Sequence, residues 1–298
     1  MQRRAFIKNT ALSAVAVSAF GFIEFDGKKY TGDCETTTDI LGPFYRPGSP
    51  VQNNLAIKGE PDELIELSGI IRHKDCTTPY QKAKIELWHC DAKGLYDNSS
   101  PDFRYRGTTY SDEKGYYSFN TILPVPYDVG DGSIRPAHFH LMITAEGYQP
   151  LVTQLYFTGD VNIKKDVYAS SPKAKRRILN VQKLNNGAKK VVYDVSMVEN
   201  LTVETATIDK LTGIYTDKAD KTKSVEFFKS DNALWRKNEV FGAKFEYTGN
   251  NTFEYPGMPP GMYRKLYFEI LVSGNIQLTE DYMNSNATKH TDVYLKEK

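Results

Sequence analysis

The stretch "IRPAHFH", Ile134 to His140, sets two of the chain's five histidines one residue apart, just behind Arg135 and Pro136. Alternate residues of a strand point to the same face, so His138 and His140 would present their imidazoles side by side, about 7 Å apart at the backbone. Phe139, Leu141 and Ile143 would then fill the opposite, core-facing side. Such a pair can supply two adjacent ligands to one metal ion with little backbone rearrangement. It equally suits two polar residues on the wet face of an ordinary strand, and the fragment by itself leaves both readings open.

The elements that must position these histidines read as β structure. "LIELSGII", "AKIELWH", "GYYSFNTI", "HFHLMIT", "LVTQLYF" and "KKVVYDVSMV" each alternate apolar and polar residues over a short run bounded by turn residues. The one helical candidate is "SPKAKRRILNVQKL", Ser171 to Leu184, which opens with Ser171 and Pro172 in cap and first-turn positions. Short strands in succession without intervening helices argue for an all-β antiparallel sandwich rather than a parallel sheet. From about Leu201, "LTGIYT", "KSVEFFKSDNALWRK", "KFEYTGNNTFEY" and "RKLYFEILVSGNIQLTEDY" read as hairpins joined by turns such as Ser230-Asp231-Asn232 and Gly249-Asn250-Asn251. Residues 201–298 are therefore expected to form a small C-terminal β domain. It has no cysteine, and its single histidine, His290, falls in a polar tail.

Composition sets limits on function. The chain has 298 residues, 40% hydrophobic and 25% charged, enough for a buried core and unlike a disordered segment. Its 38 lysines and arginines nearly cancel 37 aspartates and glutamates, so no overall field would hold nucleic acid or an anionic membrane. A small neutral partner is the more natural one, and homo-oligomer formation is left open. Twenty tyrosines favour strands and can also bring phenol oxygens to a site.

The N-terminus pairs Arg3 with Arg4 ahead of an uncharged run from Thr10 to Ile23, short for a bilayer span and of the right length for a signal-peptide core. It resembles a twin-arginine export signal. That resemblance implies a segment 1–24 removed on export, a periplasmic or extracellular mature protein without a stable membrane span, and a cofactor inserted before translocation. Ala14-Val15-Ala16 and Val17-Ser18-Ala19 both offer small residues for cleavage. In an oxidising compartment Cys34, Cys76 and Cys90 allow one internal disulfide. Cys76 and Cys90 sit at opposite ends of an expected strand, about 25 Å apart if extended, so Cys34 with Cys90 is the expected pair.

Further segments change the weight of the histidine pair. "DILGPFYRPGSP", "ELWHCDAKGLYD", "RGTTYSDEKGYYSFNTILPVPY", "RPAHFH", "LVTQLYFTGD" and "YDVSM" follow in that order between Thr36 and Met197. Together they resemble the intradiol ring-cleaving dioxygenases, and the chain looks closest to their exported group. The resemblance implies an immunoglobulin-like or transthyretin-like sandwich over residues 25–200. It also implies a non-haem ferric ion, Fe(III), held by Tyr96 of "GLYD", Tyr127 of "PVPYD", His138 and His140. Tyr127 and His138 would be axial, Tyr96 and His140 equatorial. These donor types suit a hard cation, because a phenol of ordinary pKa near 10 becomes an anionic oxygen ligand when coordinated.

The implied reaction opens the ring of a catechol between its two hydroxyl-bearing carbons, with both atoms of O2 entering a muconate-type diacid. Tyr127 would leave the metal and take a substrate proton, and Arg135 would face the ring as charge develops on it. Gln154 would line the same pocket, with Pro43, Phe44 and Tyr45 of "GPFY" near its mouth. His89 reads as a strand-end residue rather than a ligand, and Gly94 as a turn glycine. Two other readings compete. One is a non-catalytic exported sandwich that binds a partner and keeps a vestigial metal site, against which the intact four-ligand set argues. The other is zinc or copper on the histidine pair, which two tyrosine ligands disfavour for zinc.

Overall fold

The computed structural model describes residues 36–59, 63–130, 132–185, 187–198, 205–259 and 261–297, with the backbone of three short paired strands at Ala16–Ser18, Gly21–Phe25 and Tyr30–Gly32. Cys34 and most of the expected export segment lie outside the described residues. Among the described residues no helix is long and apolar enough to cross a membrane.

Two sheets face each other over residues 64–196. The first runs in the order Ile178–Leu179, Leu151–Phe157, His138–Thr144, Lys84–Trp88, Arg106–Tyr110. The second is centred on Leu64–Arg72, with Tyr116–Ile122 along one edge and Lys189–Val192, then Val195–Ser196, along the other. The expected period-2 alternation drives this arrangement. Ile65, Leu67 and Ile71 of the second sheet meet Leu87, Phe139, Leu141 and Ile143 of the first, all of them buried. Gly69 sits where the sheet leaves no room, since a Cβ there would lie 1.9 Å from the Tyr193 carbonyl oxygen.

The sandwich is not antiparallel throughout. Tyr156 pairs with Ile178, Val191 with Leu67 and Val195 with Ile71 in parallel, because long crossovers bring the chain back in the same direction. The helix expected over Ser171 to Leu184 is only the 3-10 segment Pro172–Arg177, with Ser171 at its cap position. It ends early because Arg177 turns inward, 2% exposed and paired with the Asp39 carboxylate, while the next two residues join the first sheet.

Beyond the sandwich, a short helix Thr205–Leu211 leads into eight strands from Gly213–Asp217 to Lys289–Lys296, each antiparallel to the next. Tyr215 pairs with Lys296 and closes the barrel, so no strand is left with an open edge. Eight strands enclose a space just wide enough for side chains to fill, and Tyr215, Phe227, Phe245, Phe253 and Phe268 fill it. The helix was not anticipated, and the polar tail holding His290 is the closing strand, where the imidazole stacks on Tyr282 with centroids 4.9 Å apart. Paired left-handed residues Asp231-Asn232 and Asn250-Asn251 make two of the hairpin turns, as expected.

The cysteines differ from expectation. Cys76 is disulfide-bonded, whereas Cys90 is a free thiol, 1% exposed and within 3.5 Å of the Val125 carbonyl oxygen, so Cys34 and Cys90 are not paired. Burial pushes the Cys90 thiol up to about 11, which keeps it protonated.

Phe139 is fully buried and meets Phe157 edge-on at 5.1 Å on the face opposite the two histidines. Phe139→Ala is expected to cost about 3–5 kcal/mol. Urea unfolding of the metal-free protein checks this, and a loss below about 1 kcal/mol would show that the sandwich core does not depend on this strand.

Candidate metal centre

The register of the His138–Thr144 strand builds the floor of the site. Trp88, His140 and Gln154 lie opposite one another across three strands, and His138 lies opposite Tyr156. Both imidazoles are 1% exposed, and their Nε2 atoms are 3.1 Å apart. His138 Nδ1 is 2.6 Å from the Pro136 carbonyl oxygen. A carbonyl only accepts, so Nδ1 carries the proton and Nε2 presents a lone pair to the site. His140 is fixed by packing instead. Its ring stacks on Trp88 at 5.0 Å and 8°, and a Cβ on Gly42 would come within 3.0 Å of its Cε1. Its Nδ1 is buried without a hydrogen-bond partner among the described residues.

The phenols arrive from two loops. After Lys84–Trp88, Asp91 accepts from the backbone N–H groups of Lys93 and Leu95 and turns the chain at Gly94, bringing Tyr96 Oη to 3.4 Å from His138 Nε2. Tyr127 opens the small hairpin Tyr127–Asp128 with Ile134–Arg135, which places it beside Arg135. The two phenol rings meet edge-on with centroids 5.6 Å apart, and Phe44 stacks on Tyr96 at 4.3 Å. Arg106, 1% exposed, ties the supporting loops together by donating to the carbonyl oxygens of Asp97 and Phe44 and to Asn98 Oδ1.

Burial sets the charge states in the metal-free protein. It holds the His138 imidazole down at about 3 and His140 well below the usual range, helped by Arg135 for His138 and by His138 and Arg135 for His140. Both rings are therefore neutral donors at ordinary pH. Burial raises both phenols, and Arg135 opposes it for each, favouring the anionic form. The donor set fits a metal ion. Bonds of about 2.1 Å meeting near a right angle place ligand atoms about 3 Å apart, close to the 3.1 and 3.4 Å separations around His138 Nε2. A ligating histidine also ordinarily donates its second N–H to a carbonyl or carboxylate, as His138 does. Among the described residues no three of His, Cys, Asp and Glu converge on a metal position, and the side chains beside the histidine pair are the two phenols.

Arg135 stands at the rim. Its Nε donates to Asp166 Oδ2 at 2.6 Å and its Nη2 to Gln154 Oε1 at 2.7 Å, while the Tyr168 ring lies 5.1 Å from the guanidinium carbon. Asp166 in turn accepts from the N–H groups of Tyr168 and Ala169. Gln154, expected to line the substrate pocket, is wholly buried; its amide donates to the Ile40 carbonyl oxygen and its oxygen also accepts from Tyr156. Its place is that of a bracket for Arg135. Tyr45 is a correction: it is 4% exposed, directs its hydroxyl to Glu86 and packs between Trp88 and Trp235 rather than against the four rings. Pro43 is an exposed turn residue, and within "GPFY" it is Phe44 that reaches the site.

His89 is not a ligand, because its two ring nitrogens are held by the Cys90 carbonyl oxygen and Thr121 Oγ1. Sequence reasoning named Phe44 beside Pro43 and Tyr45 without singling it out, and missed Arg106, Asp166 and Trp88. A buried arginine or aspartate carries no mark in the sequence that sets it apart from a surface one. The alternation that aligns Trp88 with the histidines was legible once the strands were paired.

Gly94 adopts φ +79°, and a Cβ there would lie 2.7 Å from the Tyr127 Cβ. Gly94→Ala is expected to displace Tyr127 and weaken metal binding about tenfold or more, measured by competition with a chelator. Wild-type affinity would show that this loop does not set the Tyr127 position.

A family model described as dioxygenase matches residues 40–199, the segment that carries every one of these side chains. Chlorocatechol 1,2-dioxygenase of Rhodococcus opacus is 34% identical over 173 residues, covering 50% of this chain and 67% of the relative. Catechol 1,2-dioxygenase of Candida albicans is 31% identical over 200 residues, covering 57% and 65%. The crystal structure of 3-chlorocatechol 1,2-dioxygenase from Rhodococcus opacus 1CP aligns with a TM-score of 0.50 at 24% identity, over 55% of this chain and 72% of that one, a likeness of fold. The match spans about half to two thirds of the length of the curated relatives. With more than half of the chain accounted for in this way, the protein belongs to the intradiol ring-cleaving dioxygenase family.

Proposed function

We propose that the protein cleaves the ring of catechol or a substituted catechol between the two hydroxyl-bearing carbons, using O2 and a non-haem ferric ion held by Tyr96, Tyr127, His138 and His140. The observation that carries this reading is the grouping of two neutral imidazoles and two phenols, with the His140 and Tyr96 donor atoms 3.1 and 3.4 Å from His138 Nε2 and the Tyr127 ring 5.6 Å from those of Tyr96 and His138. The names of the relatives, which act on catechol, chlorocatechol and hydroxyquinol, support the substrate class.

Ferric iron bound there supplies a Lewis acid that draws electron density from the catechol oxygens and makes the ring reactive toward O2. The chain's own groups do the rest. The imidazoles form a dry floor, and the half-buried phenols and Arg135 form the side from which a flat ring can enter. Tyr127 sits on a two-residue strand at that open side, and as the phenolate that a bound ferric ion would make of it, it would be placed to take a substrate hydroxyl proton. Arg135, held from two directions by Asp166 and Gln154, offers a fixed positive charge to the electron-rich ring and to the carboxylates of the product. The export reading is likewise a proposal, supported by the Arg3-Arg4 pair, the apolar run after it and the disulfide at Cys76.

Iron-loaded protein is expected to show a broad visible band from tyrosinate-to-iron charge transfer that shifts on adding catechol, and Tyr96→Phe to diminish both band and turnover. Colourless protein with stoichiometric zinc and no catechol consumption would overturn the assignment. Comparing catechol, protocatechuate and hydroxyquinol then sets the ring substituents accepted. Arg135→Ala is expected to keep the band while turnover falls about 100-fold. Loss of the metal in that variant would make Arg135 a structural residue instead.

A further inference from the structure

The barrel lies outside the segment matched by the family model, yet it is built against the metal centre in two places. Trp235, on the barrel strand Ala233–Lys237, is 1% exposed and stacks on Tyr45 with centroids 5.4 Å apart. Tyr45 meets Trp88 edge-on at 5.1 Å, and Trp88 stacks on His140 at 5.0 Å. The far end of the Tyr45 ring is held as well. Its hydroxyl donates to Glu86, and Lys84, 3.1 Å from Glu86, also pairs at 3.3 Å with Asp231 in the barrel turn preceding Trp235. The second contact is at Gly257, where a Cβ would fall 2.2 Å from the Asp39 backbone. Asp39 accepts from Tyr156, whose hydroxyl also reaches Gln154, the bracket of Arg135.

We propose that the barrel is a positioning element of the metal centre, with Trp235 fixing the orientation of His140 through Tyr45 and Trp88. His140 is the ligand that needs this. His138 is oriented by a hydrogen bond from its second nitrogen, whereas the second nitrogen of His140 has no partner among the described residues, so only ring packing sets its plane. Trp88 cannot supply that plane alone, because its own Nε1 is also without a hydrogen bond among the described residues. Its orientation passes to Tyr45, and the ring that closes the stack belongs to the barrel. Trp235 is itself fixed, its Nε1 donating to the Ser230 carbonyl oxygen at 3.0 Å.

The inference rests on the reading of His140 as a metal ligand, and its test separates the two. In the full-length chain, Trp235→Ala is compared with Trp235→Phe, which keeps a ring, and with Val272→Ser at an exposed barrel tip. In iron-loaded protein, Trp235→Ala is expected to release iron to a chelator about tenfold faster or more and to shift the charge-transfer band, while Trp235→Phe restores most of both. In metal-free protein, diethylpyrocarbonate should modify His140 faster in Trp235→Ala than in wild type, read by peptide mass, with Val272→Ser unchanged. If the wild type takes up no iron, the ligand reading fails and the modification rate alone decides whether Trp235 holds His140. Should Trp235→Ala not fold, Asp231→Ala removes the Lys84 pair and is expected to move the same readouts in the same direction. Unchanged modification and iron release in the variant that folds would overturn the proposal.

Discussion

Two imidazole nitrogens 3.1 Å apart in a water-excluded interior are the constraint on which the rest of this protein depends. Only neutral rings tolerate that approach, and burial keeps them neutral by depressing both far below the ordinary histidine range. One nitrogen then has to donate to the other, or both have to present lone pairs to a cation. Either arrangement leaves His140 Nδ1 without a partner among the described residues, a defect worth about 1–3 kcal/mol, and only the second sets a bond to a cation against it. The second matches a metal centre. Everything nearby serves one of these two rings: the Pro136 carbonyl for His138, Gly42 and Trp88 for His140, and the phenols against both.

From this constraint the charged groups fall into order. Arg135 next to a histidine pair is repulsive for protonated imidazole and attractive for phenolate, so a single guanidinium favours the donor form of all four candidate ligands. A buried arginine needs partners of its own, which are Asp166 and Gln154. Gln154 in turn is held by the Ile40 carbonyl and by Tyr156, and Tyr156 by Asp39, whose carboxylate is shared with Arg177. This chain of partners explains why the 3-10 segment ending at Arg177 gives way to a strand. Its last residue is required inside.

Much of this was legible before any coordinates. The alternation around Phe139 fixed which face His138 and His140 share, and paired asparagines marked a hairpin turn correctly. What stayed hidden has physical causes. In "GPFY" the chain follows a turn rather than a strand, so period 2 does not say whether Phe44 or Tyr45 meets the ligands. Arg106, Asp166 and Asp39 look like surface residues in sequence, because burial of a charge depends on partners up to 138 residues away, as with Arg177 and Asp39. The last barrel strand, with three charged residues among its eight and a threonine, lacks a clean apolar face, and only closure onto Gly213–Asp217 makes it a strand. The cysteine pairing failed for a similar reason, since no spacing rule shows that Cys90 is enclosed behind the site.

The contact between Trp235 and Tyr45 joins residues 190 positions apart in the chain, and this bears on when the site becomes whole. All four candidate ligand residues are synthesised before residue 141, and the sandwich is complete by residue 197. The ring that closes the stack behind His140 is still absent at that moment. At a synthesis rate of about 5–20 residues per second, the stretch from residue 197 to residue 298 takes roughly 5–20 s. During that interval the nascent protein has every donor atom of the proposed centre, but lacks the ring that packs behind one of them.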